Sequence, residues 1–273
     1  MKKNMFLVAV LAGLSSFGAD GTWSAAAAGN WSDTTKWLNG VIANGDTSAA
    51  VFPFGYDITP NQAVSLNRMT IKVYNFRLVN SPANVFSMKN TPMIEIEPFA
   101  FRGHGMYFNQ PITGDGSVLT IKGGSINLEA SSIFTNFSRV DLRSVPTLSP
   151  RFSRPVTEGD LRLIDSRINN NSQQYTGFLL AGGKLIVGAG QNVARAGYWE
   201  LMTLPPVIER EAQGTLQITL STNRMFLADA PALMNAEGRL PAWLLFDSAS
   251  SYRFSTHTAG GGISAFPITK FDP

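Results

Sequence analysis

Brief extended segments of period two recur along almost the whole chain, and this repetition restricts its fold more than any other feature. Residues 69–73 (MTIKV), 76–79, 93–97 (MIEIE), 118–122 (VLTIK), 125–129, 161–165, 184–187 and 215–220 are short and rich in aliphatic or β-branched residues. Gly, Asn, Pro or Ser punctuates the stretches between them. Such alternation buries one side of a strand and leaves the other outside. No window of a dozen residues carries a helical apolar stripe; the nearest, residues 228–237, contains Pro231. An all-β chain is expected. Only 15% of residues are charged, against the usual quarter, which suits hydroxyl- and amide-rich strand faces better than exposed helices.

The punctuation narrows the architecture. Residues 121–128 (IKGGSINL) and 180–187 (LAGGKLIV) share a strand–Gly-Gly–strand pattern. As a tight hairpin the glycine pair fits a β-sandwich or jelly roll. As a sharp corner it fits a solenoid whose coils stack at ~4.8 Å. The pattern favours the solenoid, with coils of roughly 20–25 residues. Residues 143–160 hold Pro146, Pro150 and Pro155, which lack ladder donors, so a loop or inserted arm is predicted there. Residues 169–176 (NNNSQQYT) are predicted to form a polar loop tip.

The first 19 residues carry Lys2 and Lys3, an apolar run from Met5 to Leu14, and then small residues, the layout of a secretory signal peptide. The run is too short to span a bilayer, and no later stretch reaches 18 apolar residues, so no transmembrane anchor is expected. Export to a bacterial surface or to the medium is the expected destination. Of the formal net charge of +3, Lys2 and Lys3 supply two, so nucleic acid is not an expected partner. There are no cysteines, which excludes disulfides, thiolate metal sites and a cysteine nucleophile.

Trp23, Trp31 and Trp37 crowd the start of the mature chain, followed by Asn44-Gly-Asp46 and the apolar segment 50–52. Three tryptophans before a Gly-Asp turn and a strand resemble the opening of autotransporter-associated β-strand-repeat proteins. The Gly-Gly segments resemble that family's repeat unit, and residues 240–243, 252–254 and 262–265 resemble its closing segment. The resemblance implies a secreted, passenger-like surface protein with a right-handed parallel β-helix and no assigned enzymatic activity. The expected organisation is a signal peptide at 1–19, a Trp-rich cap at 20–60, a β-strand-repeat region at 61–230 and a C-terminal β segment at 231–273. The tryptophans suit a lid over the open end of a solenoid. Alternatively, exposed rings would form a platform on which glycans stack.

Catalytic signatures are sparse. His104 and His257 have no histidine or acidic partner at metal-ligand spacing, and no G-x-S-x-G elbow or P-loop occurs. The segments Gly188-Ala-Gly190 and Gly114-Asp-Gly-Ser read as turns. The serious enzymatic alternative is a polysaccharide lyase or hydrolase, which would need clustered carboxylates. Glu95 with Glu97, and Asp141 with Arg143, share strand faces; Asp160 and Asp165 have opposite parity. Spacing of two is equally that of any solvated β face. The expectation is a non-catalytic structural or adhesive protein without cofactor or metal, which binds a glycan or a surface protein. Its binding elements would be the loops at 143–160 and 169–176 or exposed side-chain rows.

Overall fold

In the computed structural model the period-two segments lie one above another as successive coils of a β-solenoid. The structure describes residues 18–73, 75–97, 106–128, 134–150, 157–169, 183–195, 202–204, 207–211, 213–219, 225–227, 244–248, 251–253, 255–258 and 262–265. The predicted signal peptide up to residue 17, the loop tip at 170–176 and the helical candidate at 228–237 lie outside the described residues.

One side of the solenoid is a parallel sheet whose strands follow the chain in order. They are Gly21–Thr22, Ala49–Phe52, Val64–Ile71, Phe86–Ile96, Val118–Gly123, Arg139–Arg143, Asp160–Ile164, Leu185–Val187 and Ile208–Arg210. A second sheet runs beside it through Gly29–Asn30, Asp57–Thr59, Arg77–Leu78, Met106–Phe108, Ile126–Leu128, Leu148–Pro150, Arg167–Asn169, Gly190–Arg195, Gly214–Thr219 and Leu244–Ser248, also parallel. A shorter third side is made by residues 64–66 and 86–88, then Ile112–Thr113 and Phe134–Thr135. Segments 93–97, 118–122 and 184–187 thus share one parallel sheet, and the hairpin-linked sandwich is excluded.

Register places like with like. Leu119, Val140, Leu161, Leu185 and Ile208 form one buried column, and Ile94, Ile121, Leu142, Leu163 and Val187 form another. Opposite them, Ile58, Leu78, Phe108 and Leu128 stack from the second sheet. A shift of one residue would turn a whole column outward, so the alternating pattern fixes the register. The coil length is uneven: 21 residues separate Ile121, Leu142 and Leu163, whereas 27 separate Ile94 from Ile121. The loops, not the strands, absorb the difference.

The Gly-Gly pair at 123–124 makes a corner. Gly123 ends its strand at φ +84°, and the residues stacked in register beyond it, Ser144 and Asp165, adopt the same left-handed conformation at φ 50° and 48°. Only at Gly123 would a Cβ overlap the carbonyl oxygen of Ile96 from the coil beneath. Glycine is required there by close approach as well as by φ. Beyond this corner two polar side chains enter an otherwise apolar interior. Ser166 Oγ donates towards the carbonyls of Leu142 (3.0 Å) and Ile164 (2.8 Å), and Asn192 accepts from Ser166 N–H and donates to Gly188 O. Both residues are fully buried and satisfied, as buried polar groups must be.

The loop or arm predicted over 143–160 is corrected at its two ends, while 151–156, with Pro155, lie outside the described residues. Leu148–Pro150 pairs in parallel with Ile126–Leu128, and Thr157 bridges to Phe134, so 143–150 and 157–160 belong to the coil. Pro146 falls at the corner and Pro150 at a strand end, where a missing N–H costs little. At the far end the parallel order stops. Ser251–Arg253 pairs antiparallel with Leu244–Ser248, and Ser255–Thr258 pairs antiparallel with Gly262–Ala265. Among the described residues no helix is long and apolar enough to cross a membrane.

Candidate functional site

The three tryptophans close the first coil from inside. Trp23, Trp31 and Trp37 are at most 2% exposed. Trp37 meets Trp23 and Trp31 edge-on at 5.3 and 5.0 Å, and Trp31 packs in the same manner on Phe52 and Phe86. These are the offset and edge contacts that aromatic quadrupoles favour. Each indole N–H has an acceptor: Ala43 O for Trp31 (2.9 Å), Trp31 O for Trp37 (2.8 Å) and Ala27 O for Trp23 (3.3 Å). The segment carrying Trp37 to Ala43 packs against the first strand, where a Cβ at Gly21 would strike the backbone of Val41 and Ala43. Rings without exposed area offer no face to a sugar. The glycan-stacking platform expected as an alternative at Trp23, Trp31 and Trp37 is therefore not built here.

The outward face of the first sheet holds the carboxylates singled out in the sequence. Alternation puts Glu95 on that face, and parallel stacking brings Lys122 beside it in the next coil. Glu95 accepts from Arg68 on the preceding coil and from Lys122 Nζ at 3.2 Å. The Arg68 guanidinium first, and Lys122 second, hold its carboxyl below the ordinary glutamate range. Glu97 pairs with Lys72 at 3.1 Å. The side chains of Glu95 and Glu97 thus each have a separate cationic partner, and they do not form an acid/base pair.

Asp141 is more tightly held. Its side chain is 1% exposed although it points outward, because three guanidiniums cover it. Arg139 approaches at 2.5 Å and Arg143 at 3.1 Å from its own strand, and Arg162 at 3.3 Å from the next coil. Arg162 also reaches Glu211, two coils on, at 2.5 Å. Burial works against the charge of Arg162, but Glu211 and Asp141 together keep its pKa above the usual arginine value. The reach from Arg162 to Glu211 crosses the strand Leu185–Val187 and explains why Ile186, an outward residue, is only 7% exposed.

A lattice of ion pairs therefore runs along the solenoid axis, linking strand to strand where backbone ladders already join them. Lys184 and Glu209 add a further rung at 2.7 Å, and Glu209 holds the lysine pKa above its usual value. Asp160 accepts from Lys184 N–H, whereas Asp165 sits exposed at a corner, so these two do not converge. Asp115, in the Gly114-Asp-Gly-Ser turn, accepts from the backbone N–H groups of Ser117 and Asn90. Among the described residues no group of three or more His, Cys, Asp or Glu side chains is placed to hold a metal ion. His104 lies outside the described residues; the backbone of His257 lies in the antiparallel strand Ser255–Thr258.

Arg68, Lys122, Arg139, Arg162 and Glu211 were not foreseen as members of this lattice. For Arg68, Lys122 and Arg162 the signal is a charge of opposite sign one coil away and for Glu211 two coils away, visible only when the uneven coil length is known, whereas Arg139 stands two residues from Asp141 on the same strand face. Comparison with family models, curated proteins and solved structures found no match to this chain.

Proposed function

We propose that this chain is a secreted, bacterial-type surface protein that works by binding, with its solenoid as a rigid mount for exposed side-chain rows. The observation that carries this reading is the state of the carboxylates. Glu95 and Asp141, the side chains best placed for acid/base work on a sugar, are each committed to cations from their own or neighbouring coils. A general acid or base needs a protonation state matched to its task and a free edge towards substrate. The pairing of Glu95 favours its charged form, and Asp141 has no open edge. Export is taken from the signal-like N-terminus, and the passenger-like character from the resemblance of the Trp-rich start and the Gly-Gly segments. With 143–150 and 157–160 in the coil, the exposed rows of the outer sheet faces are the expected binding element that the described residues display.

The test uses the full mature chain against a panel of polysaccharides. Retention of the protein on at least one of them, with no reducing ends or unsaturated products released over hours, is the expected result. Turnover of any member that is abolished by Asp141→Asn would replace the binding reading with that of a lyase or hydrolase.

A further inference from the structure

The outer face of the first sheet does not present its charges evenly. At Asp141 and Glu95 the carboxylate lies beneath its cations: Asp141 is 1% exposed under side chains that are 33%, 46% and 21% exposed, and Glu95 is 24% exposed beside Lys122 at 55%, whereas Glu97, Glu209 and Glu211 are more exposed than the cations they pair with. What solvent meets around Asp141 is cationic. Lys122 and Arg143 are moreover direct register partners on adjacent parallel strands. Like charges placed side by side across a ladder oppose pairing unless an anion lies between them. The carboxylate paired with each lies to one side: Glu95 in the coil before Lys122, and Asp141 next-but-one along the strand from Arg143.

We propose that Lys122 and Arg143, flanked by Arg139 and Arg162, form a binding site for the carboxylate or sulfate groups of an acidic polysaccharide lying along the solenoid axis. The inference rests on the binding function proposed above and names its ligand class. The two backbones stand one strand spacing apart, ~4.8 Å, and a guanidinium and an ammonium carried at that spacing can swing from Asp141 and Glu95 to share a single oxyanion through charge-assisted hydrogen bonds. The size of the island selects the polymer. It spans the strands Val118–Gly123 to Asp160–Ile164, with Asp160 beside Arg139 as the acid at its edge, and is bounded by Glu95 and Glu97 on one side and by Glu209 and Glu211 on the other. Duplex nucleic acid, with a charge every ~1.7 Å of axis, would lay phosphates over those bordering acids. A polysaccharide with sparse charges would put one anionic group on the island, and its hydroxyls would donate to the carboxylates at the borders.

The experiment compares dextran sulfate with dextran, and polygalacturonate with its methyl ester, by co-sedimentation and titration calorimetry of the full chain. Duplex DNA of matched charge forms a further arm. Binding to the charged member of each pair, weakened at least tenfold between 50 and 200 mM salt (about the loss expected when a few ionic contacts are screened), is the expected result. Lys122→Ala/Arg143→Ala should lose at least tenfold (about 1.4 kcal/mol) in affinity. Lys122→Arg/Arg143→Lys should retain binding, and Lys72→Ala, a cation of the same face outside the island, should bind as the wild type. Circular dichroism of each variant checks the fold. Equal binding to charged and neutral members, an unchanged affinity in the double alanine variant, or tighter binding to DNA than to either acidic polysaccharide would overturn the site. Retention on a neutral polysaccharide with no preference for the charged members would leave the general binding function standing while this site fails.

Discussion

Asp141 shows how one outward residue governs its surroundings. Its carboxylate accepts from Arg139, Arg143 and Arg162, and it is the one acid those three side chains have in common. Changing Asp141 to Asn keeps the shape and removes the charge, which leaves three guanidiniums to repel one another. The expected loss is about 2 kcal/mol, less than for a wholly buried pair because the guanidinium heads keep contact with water. A urea unfolding midpoint measures it, and an unchanged midpoint would show the cluster to be energetically idle. Glu95 makes a pH-dependent contribution. Because Arg68 and Lys122 hold its folded pKa below the ordinary value near 4.3, the stability it adds is present above that pH and is lost as pH falls through the lowered folded value. Glu95→Gln should therefore cost about 0.5 kcal/mol at pH 7 and almost nothing at pH 3, as read from urea midpoints at the two values. The outward direction of both acids was legible from strand alternation. Arg143 was legible beside Asp141, but the partners on other coils were not, because Arg162 stands 21 residues from Asp141 while Lys122 stands 27 from Glu95, and no fixed period exposes both.

At the scale of elements, corners and lid decide how strands become coils. The Gly-Gly pair at 123–124 was legible as a turn and its pattern favoured a corner, but the close approach of Ile96 beneath Gly123, which makes glycine necessary there, is not revealed by any local sequence. The prolines misled because a missing N–H matters only where a ladder needs it. Pro146 and Pro150 occupy a corner and a strand end, and the strand Leu148–Pro150 pairs regardless. The Trp-rich segment was legible as an aromatic cluster, but its burial follows from three-dimensional placement over Phe52 and Phe86. Trp31 contributes ring area and a hydrogen bond to Ala43 O together. Trp31→Ala should cost about 4 kcal/mol in a denaturant titration, near the usual loss for a buried aromatic. Trp31→Ala should remove no sugar-dependent quenching of tryptophan emission, whatever Trp199 and Trp243 contribute. A loss under 1 kcal/mol, or quenching by sugar that disappears in Trp31→Ala, would mean that the ring is open to solvent.

For the whole molecule, parallel stacking makes stability a sum of neighbouring coils rather than a property of one central core. The strands Phe86–Ile96, Val118–Gly123 and Arg139–Arg143 each have a paired strand on both sides, apolar columns within and ion pairs outside. The first coils lean instead on the lid. Gly21–Thr22 pairs with only two residues of the next strand, and the antiparallel bridges Ala19–Asn44 and Trp23–Trp37 hold the covering segment in place. In such an array opening begins where a neighbour is missing and passes from coil to coil. Amide exchange should therefore be slowest in the middle strands and faster in Ala49–Phe52. Once Trp31 is replaced by Ala, protection in Ala49–Phe52 should fall by at least tenfold and that in Val64–Ile71 by less, while Arg139–Arg143 keeps its wild-type rates. Exchange that rises equally in all three strands would mean that the coils unfold as one unit. The lid would then stabilise the entire rod rather than its first turns, and the ion-pair lattice along the outer face would be the element that couples them.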